Sequence, residues 1–556
     1  MSVFKQLIKK KKLPTLLLAS SMFFTGASGI IVQNILIMSA SNILGNTIAQ
    51  VAITVAIMLG FMGIGGTYQK YIKTKLLEKF ALIEITLAIM TGFAPIALYA
   101  TYAVMPEHFE LIQYFWIAAI GFMMGLEIPI ISRLNEEFQP DLKDNLASVI
   151  TMDYIGSMIG GGVWVWLFLG KVDLSSSAFI TASMNLTVAV ITFFYFSKRE
   201  QQSVIKMCGV LTVTIGAIIF GYTNADKWEV SLQQKLYDDP IVFHERTRYQ
   251  DLTVTKDKKV EDYRLYINGN LQFSTTDEKV YHEFLVHPVM EVAKRKKNVL
   301  VLGGGDGMAV RELLKYDEVE SITLVDLDKE MIDIFTNDPI MSKLNSGSFK
   351  DARVTTNTPD VSSTLQRAVF LKDDKNKPVR DGYVDVFIID AFSFVQTPKD
   401  KLFDVVIIDF PDPSMSELSK LYSKEFYIHL HNVLSPDAVM SIQSTSPFHA
   451  KESFLCIGRT FESAGYKAIP YHHNVPSFGD WGWYLVWPGK ETKSEMHNNF
   501  CGIQKFNVPL SYLTTELLAS SVHFGKGYLE SKHDGINTLM NPVLLTYYLN
   551  DSWKIE

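Results

Sequence analysis

Two hydrophobic regimes divide the chain. Up to about residue 225, apolar residues run in blocks at 13–38, 48–66, 80–104, 112–131, 149–169, 178–196 and 204–222. Each block approaches or exceeds the roughly 20 residues a helix needs to cross the hydrocarbon core of a bilayer. The pattern predicts seven membrane-spanning helices. From about Pro240 the period drops to two, with alternating apolar and polar residues over 251–255 and 263–267. Asn268-Gly269 between Ile267 and Leu271 predicts a tight hairpin turn, because this pair readily adopts positive φ. A short apolar strand over 298–302 then runs straight into Gly303-Gly304-Gly305-Asp306-Gly307, followed by a helix over 308–316 and a second strand over 321–325 ending in Asp326. A further buried strand over 403–408 ends in Asp409-Phe410-Pro411-Asp412-Pro413.

The predicted architecture is a multi-pass α-helical membrane domain (1–225), a β-rich subdomain (238–297), an α/β Rossmann-like domain of the methyltransferase type (298–489) and a C-terminal extension (490–556). Length agrees, since 556 residues exceed what one ordinary core organises. Most charged residues follow residue 220, so the average composition hides two solvents. The net charge of −7 and the lack of a dense basic stripe argue against a nucleic-acid partner. Cys208, Cys456 and Cys501 are scattered without a CxxC spacing, so neither a disulfide framework nor a metal site is indicated.

Within the membrane half, Lys9–Lys12 precede the first apolar block, but the block is too long for a signal peptide and reads as an uncleaved span. Glycines at 26 and 29, 60–66 and 156–162 predict close helix packing. Glu84, Glu127 and Asp153 lie in or near apolar blocks, where a carboxylate can mark a solute or proton path. For Glu127, beside Pro129 and Arg133, a helix end or local pairing is the favoured reading. Basic residues cluster at 5–12, 70–79, 133–143 and 198–206, all on one side under seven spans. That bias predicts a cytoplasmic N-terminus, and an odd number of spans then places the C-terminal half on the outer face.

The order strand, glycine turn, helix, strand, acid is the first unit of a doubly wound nucleotide-binding sheet, and it predicts an adenosine-containing ligand at Gly303, Gly305 and Asp326. The loop departs from the dinucleotide pattern. Asp306 stands where a pyrophosphate would lie and would repel it, so a cationic ligand such as an S-adenosylmethionine-type sulfonium suits the site better than NAD. Decarboxylation of such a ligand removes its only carboxylate and leaves a protonated aminopropyl arm, the form Asp306 favours. Asp409 and Asp412 end another strand and are expected at the same crevice. Four converging acids complement a polyamine.

These residues carry a resemblance to the spermidine synthase (polyamine aminopropyltransferase) family, in its membrane-fused bacterial branch. The similarity runs through Tyr249-Gln250-Asp251, the segment 265–274, the segment 277–283, the 303–307 loop, Val325-Asp326-Leu327-Asp328, Asp390-Ala391-Phe392 and the segment 409–413. The resemblance implies transfer of an aminopropyl group from decarboxylated S-adenosylmethionine, as co-substrate, to putrescine or a related amine, with no bound cofactor. It implies that Gln250, Asp326, Asp390 and Ala391 hold the adenosine and ribose, and that His282, Asp306 and Asp412 line the amine path. Asp409 is the implied proton acceptor, with Tyr281 beside it. The family's donor is cytosolic, which conflicts with the outer-face topology.

Three stretches depart from the family pattern. About 30 residues over 354–383 read as an inserted loop before Asp390. The stretch 474–481 has Phe478 and Trp481 where soluble members carry a tyrosine after Pro-Thr. The tail from 490, helix-like over 510–518, has no counterpart and no expected site residue. The expected location is the cell (inner) membrane, with the side of the catalytic half left open between a miscounted span and a substrate that arrives through the membrane half, with lipid as partner and with homo-oligomerisation left open. Two alternatives stay open: the same donor with a different acceptor amine, and a membrane polyamine transporter or sensor whose soluble domain binds without catalysis.

Overall fold

A computed structural model describes residues 12–44, 47–169, 171–200, 204–247, 249–351, 354–356, 383–397 and 401–551. The chain separates into two compact units, Met1–Arg246 and Thr247–Glu556.

The first unit contains helices α1 (Lys12–Leu44), α2 (Thr47–Tyr68), α3 (Leu76–Val104), α4 (Phe109–Asn135), α5 (Leu142–Val163), α6 (Leu174–Glu200) and α7 (Val204–Gln233), followed by strand β1 (Ile241–Arg246). Among the described residues seven helices are long and apolar enough to cross a membrane, in agreement with the seven apolar blocks. The close-packing role of glycine is concentrated at particular positions. A Cβ on Gly156 of α5 would sit 2.0 Å from the Phe23 carbonyl oxygen of α1, and one on Gly125 of α4 would sit 2.1 Å from the Met62 oxygen of α2. Packing of backbone on backbone replaces the hydrophobic drive that lipid cannot supply between helices. Gly60 and Gly63, by contrast, face open space.

Glu127 differs from expectation. It is neither at a helix end nor paired with Arg133, whose guanidinium instead donates to Gln69 Oε1 at 3.2 Å and to the Ile72 carbonyl at 2.7 Å. Glu127 is 4% exposed within α4 and lies close enough to Asp153 of α5 to feel its charge. The fully buried Glu84 of α3 feels the charge of Glu127 in turn. Three helices thus bring carboxylates near one another. The sequence reading failed because local spacing cannot show which neighbouring helix a side chain meets.

The second unit begins with an antiparallel meander of β2 (Asp251–Lys256), β3 (Tyr263–Ile267) and β4 (Asn270–Ser274). Its tight turn uses φ of 50° at Asn268 and 80° at Gly269, as the Asn-Gly pair predicts. Helix α8 (Glu278–Val292) leads into the main sheet, formed by β5 (Asn298–Gly303), β6 (Ser321–Asp326), β7 (Val354–Thr356), β8 (Tyr383–Ile388), β9 (Phe403–Asp409), β10 (Leu434–Gln443), β11 (Lys467–Val475) and β12 (Gly479–Trp487). The strand order is β11-β12-β10-β9-β5-β6-β8-β7. β5 to β10 pair in parallel, and β11 and β12 add an antiparallel edge. Chain order reverses across β5, which has β6 on one side and β9 on the other. Ligands bind outside the carboxyl ends of strands at such a switch point.

Helix α9 (Met308–Leu313) after the glycine loop is shorter than the expected 308–316. Residues 357–382 of the expected insertion lie outside the described residues. The helix expected over 510–518 begins only at Thr515. The residues before it are held out of the helix by buried Glu283 of α8, whose carboxylate accepts the N–H groups of Ser511, Tyr512 and Leu513 at 2.6–2.9 Å. Those N–H groups therefore bond across the fold to a distant helix.

Seven spans and the basic-residue bias together predict that a reporter fused after Glu556 registers on the outer face. A cytoplasmic signal would mean that one of the seven helices does not cross.

Candidate active site

The carboxyl ends of β5, β6 and β9 gather the residues singled out by the motifs. Along β6 and β9 the strand residues are buried until the last, where Asp326 and Asp409 become partly accessible. Gly303, with φ of 80°, ends β5 against the carbonyl of Asp409. A Cβ there would sit 2.3 Å from that oxygen, so a left-handed backbone and a close approach both demand glycine. On the other side, Gly305 donates its N–H to Asp326 Oδ2 at 3.0 Å, and the Asp328 N–H binds Asp326 Oδ1 at 2.8 Å.

This backbone cradle continues outward from β6. The Asp328 carboxylate accepts the Thr247 hydroxyl at 2.5 Å and interacts with the Gln250 side chain. Thr247 Oγ1 accepts the Gln250 N–H at 3.1 Å, so Gln250 is held beside the end of β6. The Ile389 N–H donates to the Asp326 carbonyl at 3.0 Å, bringing the end of β8 alongside. There Asp390 caps helix α10 (Ala391–Gln396), accepting the Ser393 N–H at 3.1 Å and pairing with Lys420 at 3.0 Å. Ala391 opens that helix and is buried.

On the β9 side, the hydroxyl of Tyr281, from α8, donates to Asp409 Oδ1 at 2.6 Å. Phe478, Trp481 and Trp483 surround the Tyr281 ring, with centroids 6.1, 6.4 and 5.8 Å away. His282 is buried one residue later. Its Nδ1 meets the Glu278 carbonyl at 2.8 Å and the Glu278 carboxylate at 3.1 Å, and Arg311 clamps the same carboxylate at 2.7 and 3.0 Å. Asp412 accepts from Gln443 at 3.3 Å on Oδ1, and from Thr445 at 3.2 Å and Tyr548 at 2.9 Å on Oδ2.

Desolvation dominates the electrostatics. Burial lifts Asp409 and Asp412 to about 6 and Asp326 to about 7, and it raises Asp306 as well. Burial alone would depress His282, but the Glu278 hydrogen bond and charge outweigh it and hold the imidazole at about 9. Glu278 itself is kept at about 2, since His282 and Arg311 overcome its own desolvation. His282 is therefore a cation at neutral pH, and its charge opposes the desolvation of both Asp306 and Asp409.

A family model for the spermine/spermidine synthase domain matches residues 278–369 and 365–498. A polyamine aminopropyltransferase of Oceanobacillus iheyensis is 33% identical over 95% of this chain and 95% of its own length. One from Leptospira interrogans is 36% identical over 80% and 82%, and one from Aquifex aeolicus 34% identical over 95% and 97%. The chain belongs to the polyamine aminopropyltransferase family. Coverage this wide includes most of the membrane half.

The aminopropyltransferase fold brings together every residue predicted from the motifs: Gly303, Gly305, Asp326, Gln250, Asp390 and Ala391 around β5, β6 and β8, and Tyr281, His282, Asp306, Asp409 and Asp412 toward β9. Sequence reading missed the residues that hold these in place. Glu278 carried a faint signal, lying four residues before His282 and so on the same helical face. Gln443 ends β10 and Thr445 follows it, beside β9, a neighbour only the strand order reveals. Tyr548 carried no signal at all.

Gly303→Ala is expected to destabilise the fold by at least about 2 kcal/mol, combining a left-handed alanine with overpacking against Asp409. A thermal melt checks this; an unchanged melting temperature would mean that the loop relaxes freely.

Proposed function

We propose that the second unit transfers an aminopropyl group from decarboxylated S-adenosylmethionine to putrescine, giving spermidine and methylthioadenosine, and that the seven helices hold the enzyme in the cell membrane. One observation carries the reading. Asp306, Asp409 and Asp412 share one end of the sheet, and among the described residues no Lys or Arg forms an ion pair with any of them. A site with this excess of half-buried carboxylate suits ligands that bring their own positive charge, namely a sulfonium with an ammonium arm and an amine acceptor.

Gly303 and Gly305 allow a nucleoside to approach the backbone, where Gln250, Asp326, Asp390 and Ala391 hold the adenosine and ribose. Asp306 takes the donor's ammonium. Asp412 and Asp409 receive the acceptor, whose hydrocarbon chain packs against Tyr281, Phe478 and Trp481. The acceptor nitrogen forms a bond to the propyl carbon attached to sulfur, the C–S bond breaks, and its electron pair stays on sulfur as a neutral thioether. One proton must leave the nitrogen. A free alkyl ammonium titrates near 10, too far from Asp409 for complete deprotonation before attack, so Asp409 orients the amine and accepts the proton as the C–N bond forms. Burial to about 6 makes it a better acceptor than an ordinary carboxylate, and the Tyr281 hydroxyl fixes its position. His282, hydrogen-bonded to Glu278, holds a balancing charge on the amine path.

Phe478 and Trp481, with ring centroids 4.8 Å apart beside Tyr281, favour a second reading in which the acceptor is another amine. Incubating the purified full-length protein with labelled donor and putrescine separates the readings. Spermidine and methylthioadenosine in equal amounts are expected; methylthioadenosine without spermidine points to the other amine. Saturable binding without turnover would instead identify a binding domain.

Asp409→Asn is expected to lower kcat by about 10²–10⁴, the usual contribution of a positioned acid or base, with little change in donor affinity. Equal loss of both would remove Asp409 from the proton-accepting role. Because Asp409 and Asp412 must be ionised, kcat/KM for the acceptor is expected to fall as pH drops through about 6. A flat profile down to the ordinary carboxylate range would contradict this.

A further inference from the structure

The C-terminal extension runs as a strap across the second unit. Glu283 holds its start through the three N–H groups of Ser511, Tyr512 and Leu513. The strap also donates to the fold and receives from it: the His472 N–H binds the Ser521 carbonyl at 2.9 Å. Further on, Asn537 is 1% exposed; its side chain donates to the Ser419 carbonyl at 2.8 Å, its N–H to Thr460 Oγ1 at 3.1 Å, and its carbonyl accepts the Lys424 N–H at 2.8 Å. The strap ends in helix α11 (Val543–Asp551), whose Leu544 is wholly buried in the core of the sheet domain. These anchors set the position of the partly buried Tyr548, whose hydroxyl lies 2.9 Å from Asp412 Oδ2.

Among the described residues that contact is the shortest of the three hydrogen bonds the Asp412 carboxylate receives, and the other two come from the end of the neighbouring strand and just beyond it. A carboxylate that must present a free lone pair to an incoming ammonium needs its remaining lone pairs occupied by donors of fixed position. We propose that Tyr548 is an acceptor-positioning residue of this enzyme: the C-terminal strap supplies its hydroxyl to orient the Asp412 carboxylate toward the ammonium of the amine acceptor. The strap is thereby part of the acceptor site. Its hydroxyl also favours the ionised form of Asp412 against the desolvation that opposes it.

The proposal rests on the reading that Asp412 receives the acceptor, and the test keeps the two apart. Steady-state kinetics of the full chain are compared for wild type, Tyr548→Phe, Asp412→Asn and Tyr547→Phe, with putrescine and decarboxylated S-adenosylmethionine varied in turn. Tyr548→Phe keeps the ring and its packing. It is expected to raise the KM for putrescine about tenfold, the effect of losing one hydrogen bond to a charged group. The donor KM should stay unchanged, and the acid limb of kcat/KM for putrescine should move to higher pH. Tyr547→Phe, which removes the neighbouring hydroxyl of the same helix, should change none of these. If Asp412→Asn raises the putrescine KM while Tyr548→Phe alters neither that KM nor the acid limb, the strap proposal alone is overturned. If Asp412→Asn also leaves the putrescine KM unchanged, the assignment of the acceptor site fails with it. Equal rises in the donor and acceptor KM for Tyr548→Phe would mark a general structural role and overturn the proposal as well.

Discussion

The contact between Gly303 and the carbonyl of Asp409 is the constraint around which the soluble unit is arranged. It joins β5 to β9 at the point where strand order reverses, and it holds the glycine loop and the acid of the next strand within one van der Waals shell. A side chain at position 303 would separate them. The cradle of Gly305 and Asp326 would then no longer share a crevice with Asp409 and Tyr281, and groups bound on its two sides could not be aligned with one another.

Gathering acids in this way carries an electrostatic cost that the surrounding residues manage unequally. Asp326 and Asp412 receive only neutral donors, from backbone N–H groups or from side-chain amide and hydroxyl groups. Asp306 and Asp409 additionally feel His282, made cationic by Glu278, which Arg311 secures in turn. The positive charge is thus buried one step behind the site. The carboxylates remain partly exposed to the crevice, while the protein still limits their mutual repulsion.

The membrane half follows different physics. Backbone contact at Gly125 and Gly156 brings helices together where water provides no drive, and the same close packing surrounds Glu84, Glu127 and Asp153. Asp153 lies directly against Gly26 of α1, where a Cβ would sit 2.7 Å from its Oδ1. The glycine there makes room for a carboxylate as well as for a helix.

Sequence alone determined the elements and the chemistry that depends on near neighbours. Apolar run length determined the seven long apolar helices, period-two alternation and Asn-Gly determined the hairpin, and a glycine loop between two strands determined the turn that ends β5, because each of these is a property of residues adjacent in the chain. The acids at 306, 326, 409 and 412 were legible for the same reason: each ends or immediately follows a strand. Tertiary structure alone decided what meets those acids from a distance. Gln443 and Thr445 reach Asp412 because β10 pairs beside β9, Glu283 draws the tail out of a helix, and Tyr548 arrives at Asp412 from 136 residues away along the chain. Glu127 was misread for the same reason. A hydrogen bond or charge contact between remote segments leaves no period and no spacing, since it depends on how elements pack and not on the residues that form them.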